Sequence, residues 1–357
     1  MIAAGSSRSN LSGYESGIVP PAARPESHCC MRAQAVLALA TFPFALAAAS
    51  ARAEPPPDPS NTFTVQIEND ALNGTDRYYT SGLRLGWTSP TDSLPAGLSR
   101  IGHAILGDGQ QRIALDLSQT LFTPFDTQIS PPDPTDRPYA GVLLGSASLI
   151  QDTDRTRSVL AVGLGMIGPE ALGEETQNGF HTIIGDAQNK GWGFQIPDQP
   201  VIQFTAQRIW RLPLATGGIE ADVLPDLTAG AGTLEIYGLV GGQLRIGQGL
   251  GSDFGAPRIL PGLTGSDAYV ATRRFAWYVF AGVDGQAVGW NETLDGTPFG
   301  ASAHVTRNPW VGEFQTGLVV IAYGVRFSFT HVIQTQEFAN QHGGLFKFDS
   351  LAVSAKF

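Results

Sequence analysis

The chain has 357 residues, a formal net charge of −10 and only 15% charged residues. Because it lacks an excess of basic residues, we expect no nucleic-acid partner. Its 43 glycines and 24 prolines follow no collagen-like period, which favours many turns between strands. The length allows two soluble domains or one large β-structure.

An apolar segment near the N-terminus has the features of a secretory signal peptide. Arg32 provides a positive charge, residues 33–49 an apolar stretch, and residues 51–53 a small-residue cleavage site. We therefore predict a signal peptide over residues 31–53, with residues 1–30 as an upstream start-site extension. The alternative is a cytosolic protein with an apolar N-terminus.

Both cysteines of the chain lie before this predicted signal. They are Cys29 and Cys30. The mature chain would therefore contain no disulfide, no thiol nucleophile and no cysteine zinc site.

The rest of the chain has the pattern of β-strands. Residues 54–60 form a proline-rich linker, and residues 61–357 are dominated by an alternation of apolar and polar residues. In the first such run, Phe63, Val65 and Ile67 alternate with polar side chains. An alternation with period two predicts strands with one apolar face.

This pattern fits either a soluble sandwich or a membrane barrel with an apolar outer face. The predicted export signal and the alternating C-terminal run favour the barrel. No apolar run after the signal is long enough for a membrane-spanning helix. Aromatic residues near strand ends match the girdles of membrane barrels; they are Tyr79, Trp87, Trp277 and Trp310.

We predict an all-β fold, a transmembrane antiparallel up-and-down β-barrel of about 12 strands with a short helix in an extracellular loop. If the N-terminus is periplasmic, the connections after odd-numbered strands face outward. The predicted strands span residues 61–69, 79–88, 111–121, 139–151, 157–167, 200–213, 219–229, 233–247, 272–291, 311–321, 323–336 and 346–357.

Three outward segments carry side chains that could take part in catalysis or metal binding. His181, in the longest outward loop, is a candidate general base, although it could also be an exposed histidine without a role. Asn69 and Asp70 offer the oxygen ligands that Ca²⁺ takes, but such a pair at a strand end also forms turns. Thr80 provides a hydroxyl, and no G-x-S-x-G elbow accompanies it.

Five motifs cover the mature chain in order. They are E-N-D (68–70), D-R-Y-Y-T-S-G (76–82), D-R-P-Y-A-G (136–141), G-P-E-A-L-G-E-E-T-Q-N-G-F-H (168–181) and G-W-G-F-Q (191–195). Together they resemble the outer-membrane lipid A 3′-O-deacylase family. The resemblance implies a twelve-stranded barrel enzyme, a carboxylic-ester hydrolase that removes the 3′-linked acyloxyacyl group of lipid A in the outer leaflet and depends on Ca²⁺. We expect it to act on lipopolysaccharide as a monomer.

The resemblance also assigns roles to individual positions. His181 would be the general base that activates water. Asn69, Asp70 and Thr80 match the asparagine, aspartate and threonine of the family's active site. With Asp186, the pair Asn69 and Asp70 would hold the Ca²⁺ ion.

Two positions depart from the family pattern. The glutamate six residues after the histidine is replaced by Ala187, and the loop 122–138 lacks the lysine of the family site. We expect either that Asp186 substitutes for the missing acid, and Lys190 or Arg137 for the missing base, or that the activity is weakened.

Two alternatives stay open from the sequence. The same machinery would suit an outer-membrane phospholipase or esterase that acts on another lipid. A non-enzymatic barrel, a pore or surface-binding scaffold, is the second. A pore needs a charged, open lumen, whereas the predicted inward faces offer mainly small and hydroxyl side chains with few charges.

Overall fold

The computed structural model describes residues 55–259 and 267–357, and the signal peptide predicted at residues 31–53 lies outside them, as does the extension before it. The strands of the described chain are β1 (Thr62–Asn69), β2 (Tyr78–Thr88), β3 (Gln110–Thr123), β4 (Ala140–Asp152), β5 (Thr156–Ile167), β6 (Gln199–Trp210), β7 (Leu212–Ala215), β8 (Glu220–Gly232), β9 (Glu235–Gln248), β10 (Phe275–Asn291), β11 (Trp310–Ala322), β12 (Val325–Gln334) and β13 (Phe346–Lys356).

Antiparallel pairing closes these strands into a barrel. Each strand from β1 to β5 pairs with the next strand, each strand from β8 to β12 does the same, and β1 pairs with β13. The ring closes between β6 and β8. The four-residue β7 pairs with β8 and continues β6 beyond Arg211, so these two segments act as one strand of the wall. The barrel thus has the twelve strands that the sequence predicts, each close to its predicted position.

The wall has an apolar outer face and a polar inner face. In β1, Phe63 and Ile67 are exposed on the outside, while Thr64 and Gln66 are buried on the inside. An outer face of this composition matches the lipid-facing band of an outer-membrane barrel.

Paired charges fill the lumen, so the prediction of few inward charges is wrong. Arg84 contacts Asp116 at 2.7 Å and also pairs with Asp267. Arg245 contacts Asp253 at 2.7 Å. Because Asp253 and Asp267 belong to the connection between β9 and β10, the described parts of this connection enter the barrel and neutralise strand arginines there.

The same connection reaches the far end of β1. Gln66 Nε2 donates to the backbone oxygen of Pro257 at 3.1 Å, and the Ile259 amide donates to Glu68 Oε1 at 2.9 Å. Tyr79 donates to the other oxygen of Glu68 at 2.8 Å. Glu68 therefore faces the lumen, on the opposite side of the wall from Asn69.

Three α-helices lie in connections of the described chain. Helix α1 (Ala96–Leu106) follows β2, α2 (Gly173–Ile184) follows β5, and α3 (Glu292–Asp295) follows β10. The short helix predicted in an outward loop is α2. None of the helices within residues 55–259 and 267–357 has the length and apolar character to cross a bilayer.

The proline-rich segment before β1 packs against the barrel. Asp58 is buried, and its Oδ2 lies 2.5 Å from Lys356 Nζ and 3.7 Å from Arg112 Nη2. The described part of the predicted linker is thus held by ion pairs at the end of the barrel where β1 begins.

Candidate active site

The adjoining ends of β1 and β2 bring Asn69, Asp70 and Thr80 together. Asn69 ends β1, and Thr80 stands at a β-bulge in β2 where the register with β3 shifts between Tyr79 and Ser81. Asn69 Nδ2 donates to the backbone oxygen of Thr80 at 2.7 Å. The extra residue of the bulge turns Tyr79 into the lumen, so the prediction that Tyr79 belongs to the outer aromatic face is wrong.

The carboxylate of Asp70 is buried in the loop that follows β1. Its Oδ2 accepts hydrogen bonds from Thr75 Oγ1 at 2.6 Å and from the Arg77 amide at 3.0 Å, and Thr80 Oγ1 lies 3.5 Å from its Oδ1. Burial raises the pKa of Asp70 to about 8; the hydrogen bonds from Thr75 and Arg77 oppose this shift, and the charge of Asp76 adds to it. No basic side chain of the described chain forms an ion pair with Asp70.

Helix α2 presents its buried face to this loop. Gly173, Gln177 and His181 are buried and follow one another at intervals of four residues, so they share one side of the helix. A Cβ atom on Gly173 would lie 2.8 Å from the Trp192 ring, and a Cβ atom on Gly141 of β4 would lie 3.2 Å from the Gly173 backbone. The two glycines thus allow the close approach of helix and wall that brings His181 to the loop.

The imidazole of His181 is fixed through its Nδ1 nitrogen. Its Nδ1 lies 2.7 Å from the backbone oxygen of Ala187. Because a carbonyl oxygen only accepts, this contact assigns the proton to Nδ1 and leaves Nε2 of the neutral ring as an acceptor. Nε2 lies 3.6 Å from Asp76 Oδ2. The arrangement is that of a general base facing a carboxylate.

Asp76 connects the separate parts of the site. Its Oδ1 accepts hydrogen bonds from the Thr80 hydroxyl and from Gln177 Nε2, the latter at 2.8 Å, and its Oδ2 accepts from Asn189 Nδ2 at 3.0 Å. No role is predicted from the sequence for Asp76, Gln177 or Asn189. Two features of the sequence point to these residues. Gln177 precedes His181 by one helical turn, and Asp76 belongs to the same motif as Thr80.

Asp186 lies outside this cluster. Its side chain is exposed, and Oδ1 accepts a hydrogen bond from the Ala187 amide at 2.8 Å. Helix α2 ends at Ile184, and Gly185 adopts a left-handed conformation with φ 78° that reverses the chain. The reversal brings the backbone oxygen of Ala187 to the imidazole instead of the Asp186 carboxylate. The carboxylate next to the imidazole is that of Asp76.

The two predicted substitutes for the missing lysine differ in position. Arg137 is buried, and its Nη1 lies 2.9 Å from Glu337 Oε2. Lys190 is exposed, and its backbone amide donates to the Thr127 oxygen at 2.9 Å. Of the two, Lys190 has the side chain that a ligand in solution can reach.

The site lies on the outer wall of the barrel. Asn69 pairs with Ser81 as Ile67 pairs with Leu83, and directly opposed residues of neighbouring strands share a face. Ile67 and Leu83 are exposed on the outside, so Asn69 and Ser81 project to the same outer face. The cleft between α2 and the wall therefore adjoins lipid-facing side chains.

A model of the family described as outer membrane protein LpxR matches residues 35–357. The chain belongs to the LpxR family. This confirms the family predicted from the motifs and the location in the bacterial outer membrane.

The structure of one solved relative supports the same fold, and a second match is weaker. LpxR from Salmonella typhimurium is similar with a TM-score of 0.69 and 22% identity, over 83% of this chain and 100% of that chain. The β-domain of the Bordetella autotransporter BrkA matches with a TM-score of 0.39 and 10% identity, over 84% of this chain and 99% of that chain. The comparison with curated protein sequences gives no match.

Oxygen atoms dominate the cleft of this LpxR family member. Asp70 and Asp76 supply two carboxylates beside the Thr80 hydroxyl, and the buried Asn189 Oδ1 has no hydrogen-bond partner among the described residues. The described chain contains no group of three or more His, Cys, Asp or Glu side chains arranged for a metal ion. A cation here would thus depend on hydroxyl and amide oxygens as well as two carboxylates, a donor set that suits Ca²⁺.

Proposed function

We propose that the chain is a Ca²⁺-dependent lipid A 3′-O-deacylase that hydrolyses the 3′-linked acyloxyacyl ester of lipopolysaccharide in the outer leaflet and acts as a monomer. One observation carries the proposal. His181 lies beside the carboxylate of Asp76, and the Thr80 hydroxyl links Asp76 to the carboxylate of Asp70, on the outer wall of the barrel beside lipid-facing side chains. A lipid ester can enter such a cleft from the bilayer while its acyl chains stay in hydrocarbon.

In this proposal His181 is the general base. Its Nε2 removes a proton from water as the water oxygen attacks the ester carbonyl carbon. When the tetrahedral intermediate collapses, the sugar oxygen leaves and takes that proton, which yields a free sugar hydroxyl and a fatty acid. The Ala187 carbonyl fixes the tautomer, and Asp76 stabilises the imidazolium between the two transfers. General-base catalysis of this kind contributes about 10²- to 10⁴-fold.

The residues that would hold Ca²⁺ are Asp70 and Asp76, with the Thr80 hydroxyl and an amide oxygen. Asn69 Oδ1 accepts a hydrogen bond from the Ala71 amide at 2.6 Å, and its Nδ2 holds the Thr80 backbone, so Asn69 supports the loop. When bound, Ca²⁺ polarises the ester carbonyl and stabilises the negative charge that develops on its oxygen.

A pore is less compatible with the lumen. The described parts of the β9–β10 connection place Asp253 and Asp267 against strand arginines inside the barrel. These contacts occupy space that a conducting channel needs.

Mass spectrometry of lipid A tests the proposal. Cells expressing the chain from Met31 are compared with cells expressing His181→Ala, in Ca²⁺ and in chelator. We expect a calcium-dependent loss of one acyloxyacyl unit that the variant does not produce. Wild-type turnover by His181→Ala would exclude His181 as the base. Intact lipid A together with fatty acid released from phospholipid would assign the activity to another lipid ester.

A further inference from the structure

One flank of helix α2 is apolar and exposed. Phe180, Ile183 and Ile184 are 56%, 83% and 55% exposed, and we call these three residues the apolar flank. Their spacing places them on one side of the helix, next to the buried face that carries His181. Isolated exposed apolar residues are common, but three adjacent large ones indicate an interaction surface.

The opposite flank of α2 faces away from the membrane. Asn178 Nδ2 donates to the Asn189 oxygen at 3.1 Å, and the Asn189 amide donates to Asn178 Oδ1 at 2.8 Å. The backbone amide of the next residue, Lys190, donates a hydrogen bond to the backbone oxygen of Thr127, which lies in the loop between β3 and β4. The Asn178 side of the helix is therefore directed toward the loops.

Helical geometry directs the apolar flank the other way. At 3.6 residues per turn, Phe180 and Ile183 lie roughly 160° and 140° around the axis from Asn178. Because Asn178 is directed toward the loops, the apolar flank is directed toward the lipid-facing part of the wall.

The wall beneath α2 is apolar as well. Gln119 of β3 donates to the Ala171 oxygen at 2.7 Å, which fixes the start of the helix at this level of the wall. Leu117, two residues further down the outer face of β3, is 51% exposed, and Leu83 on β2 is also exposed. The apolar flank is thus directed toward an apolar, lipid-facing part of the barrel wall.

We propose that the apolar flank of α2, together with Leu83 and Leu117, binds an acyl chain of the substrate whose ester lies at His181. This inference rests on the proposed deacylase function and adds a subsite for the hydrocarbon chain. Because the flank is directed toward the lipid-facing wall, an acyl chain can move from the bilayer into the cleft without contact with water. For a monomeric ester that is taken up from aqueous solution, each methylene that leaves water on this surface strengthens binding about fourfold.

The test compares chain-length preference in matched variants. Wild type, Phe180→Ser/Ile183→Ser and the control Ile101→Ser/Ile105→Ser are refolded in detergent, and folding is verified by heat-modifiable migration in gels. The control makes the same type of change at exposed positions of α1, remote from the cleft. The kcat/KM is measured with 3-O-acylglucosamine esters that carry C4 or C14 chains.

We expect the α2 variant to lose roughly tenfold or more in kcat/KM for the C14 ester and to stay within about twofold for the C4 ester. The control should match wild type for both. Equal losses on the two esters, or none on C14, would overturn the inference.

If wild type cleaves neither ester, the proposed function fails by itself. The acyl subsite is then tested by the binding of a C14 amide analogue, followed by fluorescence. Weaker binding by the α2 variant than by the control supports the subsite, and equal binding rejects it.

Discussion

Nε2 of His181 lies 3.6 Å from Oδ2 of Asp76, although the two residues belong to different loops of the barrel. The same carboxylate accepts a hydrogen bond from Thr80, so it links the β1–β2 loop to the imidazole on α2. Ala187, which stands where the family resemblance places a glutamate, contributes its backbone oxygen to the ring. In this chain the carboxylate next to the imidazole therefore comes from the loop before β2 and not from the segment after α2.

Asp76→Asn tests the role of this carboxylate beside His181. In the wild type, Thr80, Gln177 and Asn189 donate hydrogen bonds to the two carboxylate oxygens of Asp76. An asparagine replaces one of these oxygens by an NH₂ group, which cannot accept, so we expect a roughly 10- to 100-fold loss of kcat. Asp186→Asn is the matched control, because Asp186 is exposed and bonds to its neighbour Ala187. It should stay within about twofold of wild type. The measurement is the initial rate of fatty-acid release in detergent at saturating Ca²⁺. A loss with Asp186→Asn as large as that with Asp76→Asn would support the cation role predicted for Asp186.

A comparison of variants at Glu68 and Asp70 distinguishes a residue that stabilises the lumen from a residue that binds the cation. The Glu68 carboxylate accepts hydrogen bonds from Tyr79, Gln66 and Ile259 inside the barrel. We therefore expect Glu68→Gln to lower the free energy of unfolding by about 1–3 kcal/mol and to leave the Ca²⁺ requirement unchanged. Asp70→Asn should instead raise the Ca²⁺ concentration for half-maximal activity. Urea unfolding and Ca²⁺ titration of both variants provide the comparison. Equal shifts in Ca²⁺ requirement would place Glu68 in the cation site.

The strands could be predicted from the sequence because lipid and lumen impose opposite demands on alternate residues. In β1, Phe63 and Ile67 show this alternation without interruption. The prediction is wrong where a local change in chain geometry interrupts the alternation of inner and outer side chains. The bulge at Thr80 inserts one residue and moves Tyr79 to the inner face, which an alternation rule alone does not anticipate.

The site could be predicted only in part, because its contacts join distant segments. The role of His181 is predictable from its loop and its motif. The role of Asp76 is not, because its closeness to His181 depends on how α2 lies across the wall. Proximity in sequence favours Asp186, but the left-handed Gly185 turns the chain and directs that carboxylate to solvent. The lumen ion pairs are equally hard to predict, because Asp253 reaches Arg245 from the connection between β9 and β10 and not from a neighbouring strand.

Asp253→Ala tests the role of this connection in stability. Arg245 and Asp253 are fully buried and 2.7 Å apart, and Tyr278 also donates to Asp253. Removal of one member of a buried pair leaves an uncompensated charge, so we expect a loss of roughly 3 kcal/mol in urea unfolding. Asp154→Ala removes a partly exposed carboxylate 3.7 Å from Arg155 and should change stability by less than about 1 kcal/mol. Similar losses in the two variants would show that the lumen pairs do not stabilise the fold.

Glu292 in helix α3 makes stability depend on pH. Its side chain is buried, and neither carboxyl oxygen has a hydrogen-bond partner in the described chain. Burial raises the pKa of Glu292 from 4.5 to about 7. The folded state therefore holds the proton more tightly than the unfolded state, so the free energy of unfolding falls as pH rises from 4.5 to about 7 and stays lower above that range.

Glu292→Gln removes this proton linkage at nearly constant size. We expect the variant to unfold like wild type at about pH 4 and to resist urea better than wild type at about pH 8, because only wild type then carries a buried charge. Glu174→Gln, an exposed change on α2, should show no such gain. If Glu292→Gln and wild type lose stability in parallel between these two pH values, the carboxyl of Glu292 is not the group responsible. Another proton-binding side chain would then have to account for the slope.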